Sequence, residues 1–277
     1  MTPVTGFSRV LGRTPFYVVT GGLAILFLYP LIWTTVSSVS PQPGSAQVDG
    51  FGLGNYATLA SYQAGVLTYL GNSAGITATA VVVTLVVATL GGYAFARFRF
   101  PGKDALFLLV LSILMVPYAT LLIPLVIWLK DIGLSNTLVG VGLVLAVFQL
   151  PFAMFMMRIS FESVPRELEE AALVDGCGSF GALRRVLLPA VKPGLITIGL
   201  FAFLAAWNDF MVPLYLVGGD NQPLPLALVN MRQQVMGVID YGATQAGVVV
   251  LTVPCVVLFL VLQRHYVNGF MSGALKG

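Results

Sequence analysis

Residues 138–157 read LVGVGLVLAVFQLPFAMFMM. A helix that crosses a bilayer needs about 20 mostly apolar residues, and this stretch has that length, with Gln149 as its one strongly polar side chain. Five other stretches meet the same requirement, at roughly 15–36, 70–94, 105–129, 194–217 and 243–262. The chain is therefore expected to be an all-α integral membrane protein with six transmembrane helices. One transmembrane domain is expected over residues 1–277, with its core at about 70–265. The first stretch follows Arg9 and Arg13, as a signal-peptide core would. Its apolar run of about 22 residues exceeds the 7–15 of such a core, so it is expected to be a retained helix.

Composition points the same way. Of the 277 residues, 57% are hydrophobic and 9% charged, against about 25% charged in soluble domains. With a mean hydropathy of +0.92, a water-soluble fold would expose large apolar patches, which drive association. The net charge of +3 comes from few and scattered basic residues, which argues against nucleic-acid binding. Cys177 and Cys255 fall in a polar loop and in a span, so neither a disulfide nor a metal-site spacing is expected. His265 has no second histidine or nearby carboxylate with which to share a metal. No catalytic set of residues is recognisable.

Lysine and arginine in short connections set the orientation of a membrane protein. With both termini cytoplasmic, Lys130 and Arg232 lie outside and the other 12 of the 14 basic residues lie inside. Residues 37–69 and 218–242 then form long outer segments, the second carrying Pro223, Pro225, Arg232, Gln233 and Gln234 and expected to be accessible. The longest inner loop, about 158–192, holds five of the 11 acidic and five of the 14 basic residues. Such a concentration of charge on one side of a membrane protein marks a surface for a soluble partner.

Within that loop, residues 163–176 read SVPRELEEAALVDG. Pro165 suits the first turn of a helix, where a missing N–H costs nothing. Glu167, Glu169 and Glu170 stand near the positive helix end, and Gly176 can take positive φ and end the helix. A second helical stretch at about 180–188 is expected to stop before Pro189. Ala171 and Ala172 are expected to leave a smooth surface for close packing.

Glu170-Ala171-Ala172, three residues, Gly176, nine residues and then Val186-Leu187-Leu188-Pro189 resemble the EAA loop of ABC importer permeases, which usually has Ile where this chain has Val186. Asn72-Ser73, Tyr93 to Arg97, Pro117 with Pro124, Trp207-Asn208-Asp209 and the C-terminal Gly273 to Gly277 are similar to the maltose-type, carbohydrate-importing branch. The resemblance implies a type I ABC importer permease fold in the plasma membrane of a prokaryote. It further implies a second homologous permease, two ATPase subunits and an extracytoplasmic sugar-binding protein as partners. In that family the loop docks on an ATPase; Glu170, Ala171, Ala172, Asp175 and Gly176 are the residues carried over to that coupling role. Glu170 would meet a basic residue of the ATPase. This chain has no Gly-x-x-x-x-Gly-Lys-[Ser/Thr] phosphate loop, so ATP and Mg would be cofactors of the ATPase subunits and none is expected here. Transport would proceed by alternating access.

An ionisable residue inside a span is costly and usually faces a cavity or a partner. Asp209 stands 16 residues beyond Pro193, about 24 Å along a helix at 1.5 Å per residue. With Asn208 and Trp207 it offers the acceptors, donors and aromatic face that a sugar requires. The same residues would equally serve as a network tying the fifth span to its neighbours. Asn72, Tyr118 and Gln149 are further pathway candidates, each also suited to helix packing. Pro117 and Pro124 would open the third span towards a cavity or merely kink it. Rival readings are an ABC permease for another small solute (a glycerol phosphodiester, peptide or amino acid) and a secondary transporter. The latter would couple through several buried charges and need no docking loop.

Overall fold

The computed structural model describes residues 6–45, 47, 49–234 and 239–274, with side chains over 16–45, 47, 49–231 and 239–263. The side chains of Arg9, Arg13, Arg232, Gln233, Gln234, Arg264, His265, Gly273 and Ala274, and all of residues 275–277 with Lys276, lie outside the described residues.

Among the described residues every regular element is helical. In order these are α1 (Gly6–Val39), α2 (Gly54–Ser61), α3 (Val66–Arg97), α4 (Lys103–Ser112), α5 (Tyr118–Asp131), α6 (Leu138–Glu162), α7 (Arg166–Val174), α8 (Ser179–Ala182), α9 (Leu188–Ala190), α10 (Lys192–Asn208), α11 (Met211–Leu216), α12 (Leu224–Gln234) and α13 (Tyr241–Ala274). Four of them, α1, α3, α6 and α13, are each long and apolar enough to cross a membrane; two bent pairs raise the number of candidate spans to as many as six.

Two of the six expected stretches are broken by a bend. In the third stretch, α4 and its terminal 3-10 turn meet α5 at 105°. Val116, ahead of Pro117, is extended at ψ 127°, the conformation that the proline ring favours for the residue before it. Pro124 lies within α5 without breaking it, in a helix anchored by the buried Leu122 and Leu129. In the fifth stretch α10 ends at Asn208, and Asp209 is extended at ψ 132°. The helix expected to stop before Pro189 instead runs on to Ala190. Proline lacks an N–H and its ring crowds the carbonyl four residues back, here that of Arg185. A π turn over Leu183–Leu187 absorbs this, the Leu188 amide reaching back to the Leu183 carbonyl. The segment Ser179–Ala190 then meets α10 at 78°.

The chain forms two compact units. One comprises Met1–Tyr62 and Asn230–Val250. In it, fully buried Asn55 of α2 donates to the carbonyls of Ser38 and Ser40 at 3.0 and 3.2 Å. Asp240 caps α13 by accepting the Ala243 amide at 2.8 Å. α1 exposes apolar side chains all round over residues 16–32, as befits a helix that faces lipid or another chain.

The other unit comprises Gln63–Val229 and Leu251–Gly277. Its spine is α3 packed along α6. The approach is close enough that a Cβ on Gly92 would lie 2.5 Å from Met157 Cβ and 2.9 Å from the Arg158 amide. Phe95, Phe107, Met157, Phe161, Leu187 and Ile198 fill a core towards the end of α3 that carries Arg97. Ile76, Leu122, Leu129, Val141 and Leu226 fill a second core towards the other end. Leu226 belongs to α12, and residues 223–228 are buried throughout. The first part of the expected accessible outer loop is thus a helix folded into the core, because its Pro-Leu-Pro-Leu-Ala-Leu run is apolar. Asn72 Nδ2 holds the approach to it by donating to the carbonyls of Asp220 and Gln222 at 2.6 and 2.9 Å. Ser73 Oγ accepts the Leu224 amide at 2.9 Å.

Gly92→Leu is expected to force α3 and α6 apart and destabilise the protein by about 1–3 kcal/mol, read as a lower unfolding midpoint in detergent. Gly71→Leu, on the same helix with nothing within 4 Å of the added carbon, is expected to leave the midpoint unchanged.

Candidate functional site

The polar loop folds into a helical hairpin at the end of the bundle where α3, α6 and α10 present basic residues. α7 begins after Pro165 and places Glu167 and Glu169 in its first turn, where carboxylates favour the helix dipole. It ends at Gly176, whose φ is +87°. The Gly176 amide donates to the Leu173 carbonyl at 3.1 Å and that of Cys177 to the Ala172 carbonyl at 3.0 Å, the paired bonds of a glycine-closed helix end.

Successive residues of a helix point about 100° apart, so the candidates on α7 divide between two faces. Ala172 is buried and Glu169 is turned inward, while Glu170, Ala171, Asp175 and Gly176 are exposed. The two alanines therefore do not form one smooth outer surface. The outer surface is instead apolar and acidic: Val174 is 87% and Phe180 71% exposed, with Leu168 and Leu173 about half so. Glu170 makes no hydrogen bond or ion pair among the described residues. Leu168, Leu173, Val174 and Phe180 escaped the sequence reading, although apolar residues in so charged a loop were a signal for them.

A second feature escaped it as well. Tyr93 OH donates to Glu169 Oε1 at 2.7 Å. Arg97 Nη2 donates to the Val164 carbonyl at 2.8 Å. Arg97 Nε stands 3.2 Å from Glu169 Oε2, with both side chains largely buried; this contact is an ion pair without hydrogen-bond alignment. The Tyr93 ring packs between Phe98 and Phe161 at 5.4 and 5.5 Å. Nearby, Arg158 pairs with Glu162 at 2.8 Å and Asp104 at 3.6 Å and lies over the Phe107 ring.

Of the residues expected along a solute pathway, Tyr118 and Asp209 meet, while the others make separate contacts. Asp209 accepts from Tyr118 OH at 2.6 Å through Oδ2 and from the Val212 amide at 2.8 Å through Oδ1. The broken span is thereby tied to α5, and Tyr118 also packs on Phe148 at 4.6 Å. Trp207 is buried, stacks on Phe203 at 5.5 Å and donates to the Leu251 carbonyl at 2.9 Å. Asn208 is exposed, and its Nδ2 donates to the Leu204 carbonyl at 2.8 Å. Asn72 holds the segment ahead of α12. Gln149 is half-buried on α6 with no hydrogen-bond partner among the described residues.

Between α3, the α8–α9 segment, α10 and α13 lies a cavity of about 860 Å³. Its walls are apolar, formed by such residues as Leu85, Leu195, Leu200 and Phe203, with Thr89 and Arg184 as polar exceptions. A hydroxyl-rich solute would find few hydrogen-bond partners there. No group of three or more His, Cys, Asp or Glu side chains suited to a metal occurs among the described residues.

Comparison with known proteins sets these features in a lineage. Over 273 residues the chain is 34% identical to the trehalose transport system permease protein SugB of Mycobacterium tuberculosis, covering 96% of this chain and 98% of the relative. Over 213 residues it is 39% identical to the diacetylchitobiose uptake system permease protein DasC of Streptomyces coelicolor, covering 76% of each. The fold matches a chain from the crystal structure of a bacterial ABC transporter involved in the import of the acidic polysaccharide alginate, with a TM-score of 0.78, 22% identity, and coverage of 95% of this chain and 99% of that one. Residues 88–270 match the family described as binding-protein-dependent transport system inner membrane component, and the chain belongs to that family.

Proposed function

We propose that this chain is the permease subunit of an ATP-driven, binding-protein-dependent sugar importer and forms half of the translocation pathway. The observation that carries the reading is the hairpin at the basic end. It exposes Glu170, Ala171, Val174 and Phe180, an acidic and apolar surface in which Glu170 has no partner among the described residues. Such a surface fits a soluble partner, and in this family that partner is an ATPase. A carbohydrate as solute is supported by the trehalose and diacetylchitobiose permeases among its relatives.

The remaining features follow from this reading. The bent pair of the third stretch counts as one span and α10 with α11 as another, giving six in a single permease domain, with both termini and the hairpin on the cytoplasmic side of a prokaryotic plasma membrane. A second permease completes the pathway, two ATPases bind ATP and Mg, and an external binding protein delivers the solute. Closure of the ATPases moves the hairpin and turns the pathway outward, and ATP cleavage resets it. Of the expected pathway residues, Gln149 keeps its polar group free for solute hydroxyls among the described residues, and Asn208 keeps its amide oxygen, its amide nitrogen donating to the Leu204 carbonyl. Asp209, Tyr118, Trp207 and Asn72 commit theirs to contacts within the protein.

The test is uptake of labelled trehalose, maltose or diacetylchitobiose into proteoliposomes holding the whole complex, with binding protein outside and ATP within. Uptake that needs both is expected; uptake driven by an ion gradient without ATP would replace this reading with a secondary transporter. Glu170→Lys reverses charge at the docking surface, where like charges cost several kcal/mol. It is expected to lower both uptake and ATPase co-purification about tenfold or more while the permease stays inserted. Gly176→Pro removes an amide that donates to Leu173 and fixes φ near −65° where the chain holds +87°. It is expected to abolish uptake. Asn208→Ala is expected to raise the solute concentration for half-maximal uptake without affecting ATPase co-purification.

A further inference from the structure

The two adjacent glutamates of α7 face opposite ways. Glu170 is exposed and unpaired among the described residues, whereas both oxygens of Glu169 are engaged by α3. The engaging groups, Tyr93 and Arg97, stand four residues apart, the spacing that places two side chains on one face of a helix. Arg97 does more than pair with Glu169. Its Nη2 also holds the Val164 carbonyl at 2.8 Å, immediately ahead of the proline that starts α7. One guanidinium thus grips α7 both before its first residue and within its first turn. Its fork geometry permits this, and a lysine ammonium, a single point of charge, could not reproduce it.

The helix that does the gripping is continuous. α3 runs for 32 residues without a break or an internal proline, about 48 Å at 1.5 Å per residue. At its far end Asn72 and Ser73 hold the segment Asp220–Leu224 by three hydrogen bonds. The hairpin's second arm meets α10 at a 78° bend and the third stretch is bent by 105°, and a bent path transmits displacement less directly than a straight one.

From this geometry we infer that Arg97, Glu169 and Tyr93 are positioning residues that carry movement of the hairpin into α3, and thence to the Asp220–Leu224 segment at the opposite end. The inference rests on the permease reading above. Glu170 and its exposed neighbours make the outer contact of α7; Glu169 makes the inner one. Division of the two roles between neighbouring residues allows docking and transmission to be separated by mutation.

The experiment uses the whole complex in proteoliposomes and measures two quantities for each variant: ATPase subunits retained on purification, and ATP hydrolysed per sugar taken up. Glu169→Gln and Tyr93→Phe are expected to retain the ATPases and still hydrolyse ATP. Each is expected to consume roughly three- to tenfold more ATP per sugar, the range that loss of one hydrogen bond corresponds to. Arg97→Lys, which keeps the charge and loses the fork, is expected to fall between wild type and Arg97→Gln. An unchanged ratio in both Glu169→Gln and Tyr93→Phe would overturn the inference, as would loss of ATPase subunits in step with lost uptake. Should Glu169→Gln fail to assemble, Tyr93→Phe, which removes one hydroxyl, decides the matter. Absence of ATP-dependent uptake by the wild-type complex would instead count against the permease reading itself.

Discussion

A peptide group without a hydrogen-bond partner in hydrocarbon costs several kcal/mol, and this requirement organises the chain. It confines the lipid-facing backbone to helices and tolerates a break only where other groups take up the freed donors and acceptors. Several disturbed turns in this protein show such contacts. At the end of α10 the Asp209 carboxylate accepts the Val212 amide and the Tyr118 hydroxyl. Around Pro189 a π turn changes the hydrogen-bond register. In the turn ahead of Pro254, the Trp207 indole donates to the Leu251 carbonyl. Polar side chains that look like solute ligands in the sequence are thus largely occupied in completing the backbone.

The same physics explains the hairpin's two faces. Outside the hydrocarbon a helix of nine residues has no stability of its own and must be held by capping and packing. α7 is held by the Gly176 turn, by buried Ala172 and by the Glu169 contacts. What remains outward is a surface freed from structural duty, and it carries Glu170, Val174 and Phe180. An ion pair as buried as Arg97–Glu169 is a weak stabiliser overall, since desolvation offsets much of the attraction. Its contribution is directional, because it fixes which face of α7 meets α3.

Much of the hairpin was legible in advance. The proline, the carboxylates and the glycine each act through local backbone physics: Pro165 stands immediately ahead of the helix, Glu167 and Glu169 in its first turn, and Gly176 closes it. The roles of individual residues were less so. Adjacent alanines read as one surface until the helix turns them apart. Arg97 reads as a charge that sets orientation until α3 brings it against Val164 and Glu169.

That the chain is helical and suited to a membrane is readable from the residues alone, because apolar runs of that length leave the backbone few other ways to satisfy its hydrogen bonds in a bilayer. The sequence also determined the family, through motifs whose spacing is local. Only the tertiary structure decided which prolines break a helix. Pro117 does, whereas Pro124, Pro151 and Pro254 do not, because the outcome depends on what neighbouring helices supply to the disturbed turn. Likewise only the packing of α3 on α6 and α7 could separate the glutamate turned inward from the one left for a partner.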